Sequence, residues 1–350
     1  MGDDFSKDAQ VNYNILCNMH ADIEEVWDIG EFEKKLSGFD CIIDALFGTG
    51  IHGEIKGMAA EVIDAVNKSD AYVISADIPS GINADTAEVC SIAVRADETV
   101  TFAAYKRGLL MYPGADYAGK ITVSDISIPK VLLEDVSVNV HDEEYFADIM
   151  PKRFKNSQKG DYGKTFIIGG KKGMAGAVCM AALAALRAGA GIVTACIPEE
   201  INDIVQISLP QVMTYPVDFE RDIDKITGKM KDFDVILIGN GLGRGEYAEK
   251  LLEAVLNEAE VPVVVDADGL FALIGKEHLL RKGNVILTPH SMEMARLLNI
   301  SVEDVEKNRL GVSENFVLNN KVTLVLKGNH TIITAASGTQ SINMTGNSGM

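Results

Sequence analysis

The sequence predicts a two-domain α/β protein built mostly on parallel sheets. Short apolar runs that end in Gly or in polar residues recur along the chain, and helix-forming segments fall between several of them. Such alternation is typical of parallel sheets whose two faces are covered by helices. A length of 350 residues allows two domains of this kind.

The first half is predicted to contain three strands, within residues 41–50, 71–81 and 99–108. A helix is expected at 58–67, between the first two strands. Each apolar run ends in a turn sequence such as FGTG or IPSG, where Gly permits positive φ and Pro stiffens the turn.

The second half repeats this order with longer Val- and Ile-rich runs, which are typical of strands buried on both faces. Strands are expected within 164–170, 191–199, 234–243, 261–270, 284–290 and 322–328. Helices are expected at 175–188, 247–259 and 292–298. The polar, turn-rich stretch at 143–159 suggests a boundary, so the domains are predicted as 1–146 and 147–350.

Composition excludes several classes of function. A net charge of −19 disfavours nucleic acid as a partner, although backbone N–H groups at helix starts can still bind a single nucleotide. The five cysteines form no CxxC pair, which favours free thiols in a reducing cytoplasm. The first ten residues do not resemble a signal peptide, and the most apolar helical run, 175–186, is too short to span a membrane.

Polar residues that could bind a ligand or take part in catalysis follow the ends of the predicted strands. Ligands of parallel α/β sheets bind beyond the carboxyl ends of the strands, so these residues are expected to line one site in each domain. The residues are Asp44, Asp77, Gly241, Asp266, Asp268, His290 and Lys327.

Two Gly-rich loops in the second half have the context of a phosphate-binding turn. GGKKGMAGA at 169–177 follows a strand and opens an Ala-rich helix, and GNGLG at 239–243 follows another strand. Neither loop has the Walker A or the GxGxxG pattern. A tight turn with no ligand therefore remains an equal alternative for the first loop and the simpler one for the second.

The remaining second-half residues also have structural alternatives. Asp266 could orient a ligand or a Mg²⁺ held through phosphates, whereas Asp268 is better suited to an N-cap. A single His at a strand end, such as His290, is more often a structural hydrogen-bonding group than a ligand group. The LKGNHT segment, 326–331, could hold a diphosphate or form a plain β-hairpin, because TIIT follows it.

In the first half, Asp44 and Ser80 offer oxygen ligands for a hard cation, and Asp77 could transfer a proton. Turn and cap chemistry is the alternative for all three residues.

The order of motifs in the second half resembles the ADP-dependent NAD(P)H-hydrate dehydratase family. The resemblance covers 151–350 and rests on KGDYGKTFIIGG, GMAGA, LAALRAGAGIVTA, IGNGLG, VVVDADGL, ILTPH, EMARLL, LVLKGNHT and TGNSGM. In the first half, DAQVNYNIL, DALFGTGI, SADIPSGINADT, ADETVTFAAYKRGL and DISIP are similar to the carboxyl-terminal part of the NAD(P)H-hydrate epimerase domain. The resemblance implies a Rossmann-like domain followed by a ribokinase-like domain.

This family resemblance also implies a reaction. ADP phosphorylates the 6-hydroxyl of hydrated NADH or NADPH, and phosphate then leaves to restore the dihydronicotinamide. The epimerase half interconverts the R and S hydrates for an S-specific dehydratase. ADP is the phosphoryl donor, and Mg²⁺ and K⁺ are the implied ions. A cytoplasmic homo-oligomer without nucleic-acid or membrane partners is expected.

The same resemblance assigns residues by motif position. Ala177, Gly241 and His290 would contact the hydrate. The ADP phosphates would be held by Lys327, Gly328, Asn329, His330 and Thr331. In the epimerase half, Asp77 would be catalytic and would contact the hydrate, and Asp44 and Ser80 would bind K⁺. The other contacts to the hydrate there would come from Gly48, Thr49, Gly50, Ile51, His52, Gly53 and Glu54.

The sequence departs from the family pattern at three places. A Gly- and Asn-rich epimerase loop of the GNNGGDG type would precede residue 1, and the Gly-Ser-Gly-Asp motif that carries the dehydratase base would follow Met350. Asn240 stands where the family usually has Pro. We therefore expect a fragment with impaired activity. A ribokinase-like small-molecule kinase and a non-catalytic nucleotide- or partner-binding module are the alternatives.

Overall fold

The computed structural model describes residues 7–133, 138–141 and 143–345. Contacts within the chain separate two compact units, Met1–Ile128 and Pro129–Met350. The GNSGM segment at 346–350, which contributes to the family resemblance, lies outside the described residues.

The first unit contains a four-stranded, fully parallel sheet in the order β1-β2-β3-β4. Its strands are β1 (Cys41–Asp44), β2 (Tyr72–Ala76), β3 (Glu98–Phe102) and β4 (Lys120–Ser124). Its helices are α1 (Lys7–Asn18), α2 (Ile29–Leu36), α3 (Met58–Lys68) and α4 (Arg107–Leu110). The three strands and the helix expected from sequence are present, whereas β4 was not predicted.

Helix α3 shows why one face of this sheet is well covered. Its buried residues include Ala59, Val62, Ile63 and Val66, which recur at helical spacing and form one apolar stripe. Ile63 and Val66 belong to the same core cluster as Val73 of β2. Burial of this stripe, at roughly 1.5–3 kcal/mol for each large side chain, attaches the helix to the sheet.

The second unit contains a ten-stranded sheet in the order β5-β14-β13-β12-β11-β10-β9-β6-β7-β8. The sheet is parallel except for the pairs that β13 makes with β12 and β14. Its strands are β5 (Val138–Val140), β6 (Lys164–Ile168), β7 (Ile192–Pro198), β8 (Met213–Val217), β9 (Val235–Ile238), β10 (Val263–Val265), β11 (Val285–Leu287), β12 (Thr323–Leu326), β13 (Thr331–Thr334) and β14 (Gln340–Asn343).

The helices of the second unit fall between these strands. They are α5 (Glu143–Ile149), α6 (Ala175–Ala188), α7 (Asn202–Ser208), α8 (Ile223–Met230), α9 (Glu246–Glu258), α10 (Asp268–Leu273), α11 (Ser291–Leu298), α12 (Val302–Lys307) and α13 (Arg309–Asn320). All six predicted strands and all three predicted helices of this half are present. The α/β fold with two domains and mostly parallel sheets is confirmed.

The division between the units lies before the polar stretch that the sequence indicates. Strand β5 pairs in parallel with β14, so residues 138–140 belong to the second sheet by contact. The functional limits 1–146 and 147–350 stay a prediction. No helix in the described parts of the chain is both long and apolar enough to cross a membrane.

Candidate functional site

The residues expected to bind ligands in the second unit lie at one edge of its sheet. Gly241, His290 and Lys327 follow β9, β11 and β12, and Ala177 is in the first turn of the helix that follows β6. These strands are neighbours in the order β12-β11-β10-β9-β6, and all five are parallel. We call this edge, with the turns that follow the five strands, the second-unit rim.

Gly241 and Ala177 are in close approach on this rim. Gly241 has a φ of +66°, and a Cβ there would lie 3.0 Å from the Ala177 Cβ and 2.7 Å from the Met174 carbonyl oxygen. Met174, the residue in the cap position before α6, makes no side-chain cap. A Cβ at Gly241 would therefore press against this turn, and a helix start without a side-chain cap can offer backbone N–H groups to a phosphate.

Asp266 connects three of the rim strands. Its Oδ1 accepts hydrogen bonds from Thr288 Oγ1 (2.7 Å) and from Lys327 Nζ (2.8 Å). Its Oδ2 accepts one from Asn240 Nδ2 (2.8 Å). The carboxylate therefore joins the turn before Gly241 to the residue that begins the expected ADP turn.

The environment of Asp266 keeps this carboxyl group ionised. Burial by itself would raise its pKa, but hydrogen bonds from Lys327 and Thr288, the charge of Lys327 and the amide of Asn240 outweigh that effect and lower the pKa. The ion pair with Lys327 is half-buried, since the side chains of Lys327 and Asp266 are 40% and 20% exposed.

The expectation that Asp268 is an N-cap is wrong. Helix α10 begins at Asp268 itself, and the residue in the cap position, Ala267, makes no side-chain cap. The Asp268 carboxylate instead accepts hydrogen bonds from Gly243 N (2.9 Å) and Arg244 Nε (3.2 Å). Strand β10 ends before both residues, and their side chains bond to different parts of the GNGLG loop. Asp266 binds Asn240 near its start, and Asp268 binds Gly243 at its end.

His290 is the N-cap of α11. Its Nδ1 accepts from the N–H groups of Met292 (3.1 Å) and Glu293 (3.4 Å), and the Glu293 carboxylate accepts from His290 N (2.9 Å). His290 therefore has the structural hydrogen-bonding role that the sequence suggests as the alternative to ligand binding. Because Nδ1 accepts, a neutral ring carries its proton on Nε2, which lies 3.6 Å from Glu293 Oε1, beyond hydrogen-bond distance, and half of the side chain is exposed to a ligand.

The turn expected to hold ADP connects β12 and β13, so the predicted hairpin is present. Lys327 N donates to the Pro289 carbonyl oxygen at 2.8 Å, which places the start of the turn beside His290. Thr331 Oγ1 donates to the Gly328 carbonyl oxygen (3.0 Å), and His330 has a φ of +51°. The five residues 327–331 therefore form one compact turn on the rim.

Arg309 supports this turn and was not identified from sequence. It is buried and donates to the carbonyl oxygens of Asn329 (2.6 Å) and Leu326 (3.1 Å). A Cβ at Gly328 would lie 2.6 Å from Arg309 Nη2, which explains the Gly in the motif. Burial lowers the pKa of the guanidinium, and nearby Glu306 opposes that effect. A single Arg in a helix gave no sequence signal for this contact.

An open cleft of about 800 Å³ continues the rim along the ends of β7 and β8. It begins at Leu242, next to Gly241, and reaches Lys171, Asp218 and Tyr247. This volume is in the range of small-molecule sites in proteins. In the described residues, no group of three or more His, Cys, Asp or Glu side chains could hold a metal ion.

In the first unit, Asp44 and Ser80 are brought together at the end of β1. Asp44 Oδ1 accepts from Ser80 Oγ (2.6 Å), and Oδ2 accepts from Ser80 N and Ser75 Oγ (2.8 Å each). Both side chains are buried. A buried carboxylate beside a hydroxyl oxygen, with the Phe47 carbonyl 3.3 Å from that hydroxyl, is an oxygen set that fits a hard cation.

Asp77 lies at the end of β2 in a left-handed conformation, with a φ of +70°. Its Oδ1 accepts from Lys106 Nζ, from Phe102 N (2.9 Å) and from Thr101 Oγ1 (3.3 Å). The ion pair with Lys106 is largely buried. Lys106 was not singled out from sequence, although it lies in the AYKRG motif, where a Lys near a candidate proton-transfer residue could have been a signal.

The loop expected to contact the hydrate, from Gly48 to Glu54, is mostly exposed. His52 Nδ1 lies 3.3 Å from Asn83 Nδ2, and Glu54 pairs with Lys56 at 2.5 Å. Within the described ranges, no hydrogen bond or ion pair joins this loop to Asp77. The structure therefore brings together Asp44 with Ser80 and Asp77 with Lys106, and among the described residues no hydrogen bond or ion pair joins these pairs to the loop.

Two protein families match the chain. Residues 165–350 match the NAD(P)H-hydrate dehydratase family, and residues 2–108 match the YjeF-related protein N-terminus. The two matches cover the second-unit rim and the strands that carry Asp44 and Asp77.

Curated relatives contain both parts in one chain. A bifunctional NAD(P)H-hydrate repair enzyme of Moorella thermoacetica is 37% identical over 362 residues, covering 99% of this chain and 68% of the relative. Relatives of the same name from Thermofilum pendens and Escherichia coli are 36% and 34% identical, cover 91% and 89% of this chain, and are themselves covered over 62% and 59%. The chain thus spans roughly three fifths to two thirds of the length of these relatives.

Solved structures resemble the second unit. An ADP/ATP-dependent NAD(P)H-hydrate dehydratase from Bacillus subtilis, co-crystallised with ATP and Mg²⁺, is 29% identical, with a TM-score of 0.51 over 60% of this chain and 74% of that one. A ribokinase-like superfamily protein from Enterococcus faecalis is 25% identical, with a TM-score of 0.54 over 61% and 74%.

Proposed function

The chain belongs to the family of bifunctional NAD(P)H-hydrate repair enzymes, and on that premise we propose that it takes part in the repair of hydrated NADH and NADPH. The second unit binds ADP and the S hydrate for dehydration. The first unit interconverts the R and S hydrates. The corresponding functional domains are 1–146 and 147–350.

One observation carries the dehydratase proposal. Asp266 connects Lys327, which begins the ADP turn, to Asn240, which precedes the hydrate-contacting Gly241. The two expected ligand positions are therefore adjacent on one rim, as phosphoryl transfer from ADP to the 6-hydroxyl of the hydrate requires. Residues Lys327–Thr331 hold the ADP phosphates, while Ala177, Gly241 and His290 contact the hydrate. Mg²⁺ would be held through those phosphates.

Simultaneous binding tests this proposal. Isothermal calorimetry with ADP and with NADPH, which has the shape of the hydrate but no reacting hydroxyl, is expected to show one site for each and a ternary complex. ADP binding without NADPH binding, together with phosphorylation of a sugar or a vitamin precursor, would instead favour a small-molecule kinase. Competition of ADP and NADPH for one position would contradict the proposal.

The epimerase proposal rests on the orientation of Asp77. Lys106, Thr101 and the Phe102 amide all donate to its Oδ1, and Oδ2 has no hydrogen-bond partner in the described part of the chain. Oδ2 is therefore free to exchange a proton with the hydrate. Asp44 and Ser80 would hold K⁺, whose charge would favour binding of the anionic nucleotide, and residues 48–54 contact the hydrate.

Conversion of the pure R hydrate to the S hydrate, followed by chromatography, tests this part. We expect the chain to exceed the spontaneous rate and Asp77→Asn to return to it. Asp85→Asn, which changes an exposed carboxylate on a neighbouring turn, is the matched control and is expected to behave as the unchanged chain. Equal rates for Asp77→Asn and the unchanged chain would remove Asp77 from the mechanism.

We also propose that the chain assembles as a homo-oligomer. The outer face of the first sheet has exposed apolar residues on adjacent strands: Ile43, Tyr72 and Phe102. Parallel sheets are normally covered on both faces. Sedimentation equilibrium is expected to show self-association that Ile43→Lys weakens, and a monomer at all concentrations would contradict it.

A further inference from the structure

Lys327 can donate hydrogen bonds to Asp266 and to a phosphate at the same time. Its ammonium group has three donors, and among the residues that the structure describes it uses one of them, for Asp266 at 2.8 Å. With 40% of the side chain exposed, the other donors can reach a phosphate oxygen without breaking the ion pair. Asp266 thus fixes the position from which Lys327 acts, instead of competing with the phosphate for its only donor.

Asn240 depends on Asp266 for its orientation. The Nδ2 group donates to Asp266 Oδ2, and the buried Oδ1 has no donor in the described part of the chain. An ionised carboxylate only accepts, so the pair fixes which end of the amide faces Asp266. The backbone carbonyl of Asn240 accepts from Gly170 N at 2.9 Å. A movement of Asn240 is therefore transmitted both to Gly241 and to the loop that precedes α6.

We propose that Asp266 is a positioning residue that couples ADP binding to hydrate binding, through Lys327 on one side and Asn240 on the other. This inference rests on the proposed function, because it requires that the two ligands occupy the two ends of the second-unit rim. A phosphate bound at Lys327 stabilises the arrangement of Asp266 that also holds Asn240 and the Gly241 turn, and a ligand at that turn stabilises the same arrangement from the other side. Each ligand therefore raises the affinity for the other, by the same factor in both directions.

The measurement is the ADP dissociation constant, obtained by calorimetry with and without saturating NADPH. In the unchanged chain the affinity for ADP is expected to rise by at least about fivefold when NADPH is present, with the same factor for NADPH when ADP is present. In Asp266→Asn the factor is expected to fall to within about twofold of unity, because the amide of that variant cannot accept from Asn240 and hold Lys327 as an ion pair.

A second variant separates coupling from general damage. Asn240→Ala leaves the ion pair between Asp266 and Lys327 in place and removes only the link to the turn, so it too is expected to lose the coupling factor while ADP still binds. Glu249→Gln is the matched control, since it removes a comparable ion pair, with Lys276 at 2.9 Å, that does not touch the rim. It should keep the full factor.

The outcomes separate this inference from the function on which it rests. Full coupling in both Asp266→Asn and Asn240→Ala, or no coupling in an unchanged chain that binds both ligands, overturns the role of Asp266. An unchanged chain that binds neither ADP nor NADPH contradicts the proposed function instead.

Discussion

Asp44 and Asp266 occupy corresponding places in two different sheets, at the carboxyl end of a parallel strand, yet their surroundings differ. Asp44 is 4% exposed, and its main partners are the two groups of Ser80 and the hydroxyl of Ser75. Asp266 is more exposed and connects residues from three strands, one of them a cation. The first carboxylate therefore joins the end of β1 to β2 and to the turn that follows β2, whereas the second connects positions where separate ligands are expected.

The two sheets also differ in how far their faces are covered. The outer face of the first sheet leaves Ile43 on β1 71% exposed, while Ile167 on β6 and Ile197 on β7 of the second sheet are fully buried. In the first sheet, the polar residues at the strand ends form two hydrogen-bonded groups, one around Asp44 and one around Asp77.

The largest expected effect is on Asp44. Asp44→Ala leaves the Ser80 N–H group and the Ser75 hydroxyl without an acceptor, and leaves the Ser80 hydroxyl only the Phe47 carbonyl oxygen at 3.3 Å. At about 1–3 kcal/mol for each of the two orphaned donors, the first unit should lose about 2–6 kcal/mol of stability. Chemical denaturation followed by a probe in the first unit measures this loss. Asp40→Ala, at an exposed side chain just before β1, is the control and should change little. Equal stability of the two variants would remove the contrast with Asp266.

A smaller effect is expected at Lys327. Lys327→Met removes a charged hydrogen-bond donor to phosphate, which is worth about 1.5–3 kcal/mol, and should weaken ADP binding roughly tenfold to hundredfold. Calorimetry measures the dissociation constant of ADP for this variant and for the unchanged chain. Lys276→Met removes another half-buried Lys of the same unit and should leave the ADP affinity unchanged; if both variants lose affinity alike, the phosphate role of Lys327 is wrong.

A still smaller effect is expected on the stability of the second unit at acid pH, where Asp266 becomes protonated. Its pKa is lowered in the folded state, so its stabilising contribution is present above the ordinary value of about 3.9 and is lost as the pH falls through the folded pKa. Asp266→Asn should therefore flatten the acid dependence of unfolding below about pH 4. Thr288→Val removes one hydrogen-bond donor to Asp266, so its acid dependence of unfolding should lie between that of Asp266→Asn and that of the unchanged chain. An unchanged slope in Asp266→Asn would show that the network contributes nothing to acid stability.

The smallest effect, with no change in stability, concerns the thiols of the two sheets. Cys41 on the edge strand β1 is exposed, whereas Cys196 on β7 is buried and its pKa is raised by that burial. Alkylation of the folded chain, read by mass spectrometry, should modify Cys41 quickly and Cys196 only after unfolding. Similar rates for both would contradict the difference in sheet burial.

Much of the fold could be predicted because its signals are local. Val and Ile runs, Gly turns and helical periodicity identified the strands that form the second-unit rim. Elements without such signals were missed: β8 contains Pro216 and Tyr215 and lacks a long apolar run. The bounds of helix α6 were predicted correctly, since Gly residues lie at both ends of an Ala-rich segment.

The candidate sites were predictable only in part. The sequence placed Gly241, His290, Asp266 and Lys327 after strands, but it assigned Asp268 to an N-cap that it does not form. The contacts of Arg309 with Leu326 and Asn329 and that of Lys106 with Asp77 left no recognised pattern. These partners are separated along the chain, so no local propensity reports them.

The sequence by itself determined the class of fold, the family and the edge of each sheet where function is expected, because strand ends and Gly turns are encoded by neighbouring residues. Only the tertiary structure decided which side chains meet there. Asp266 meets Lys327 across 61 residues of chain because β9 to β12 pair in one parallel register. The physical reason is that register aligns strand ends in space, while sequence distance carries no information about it.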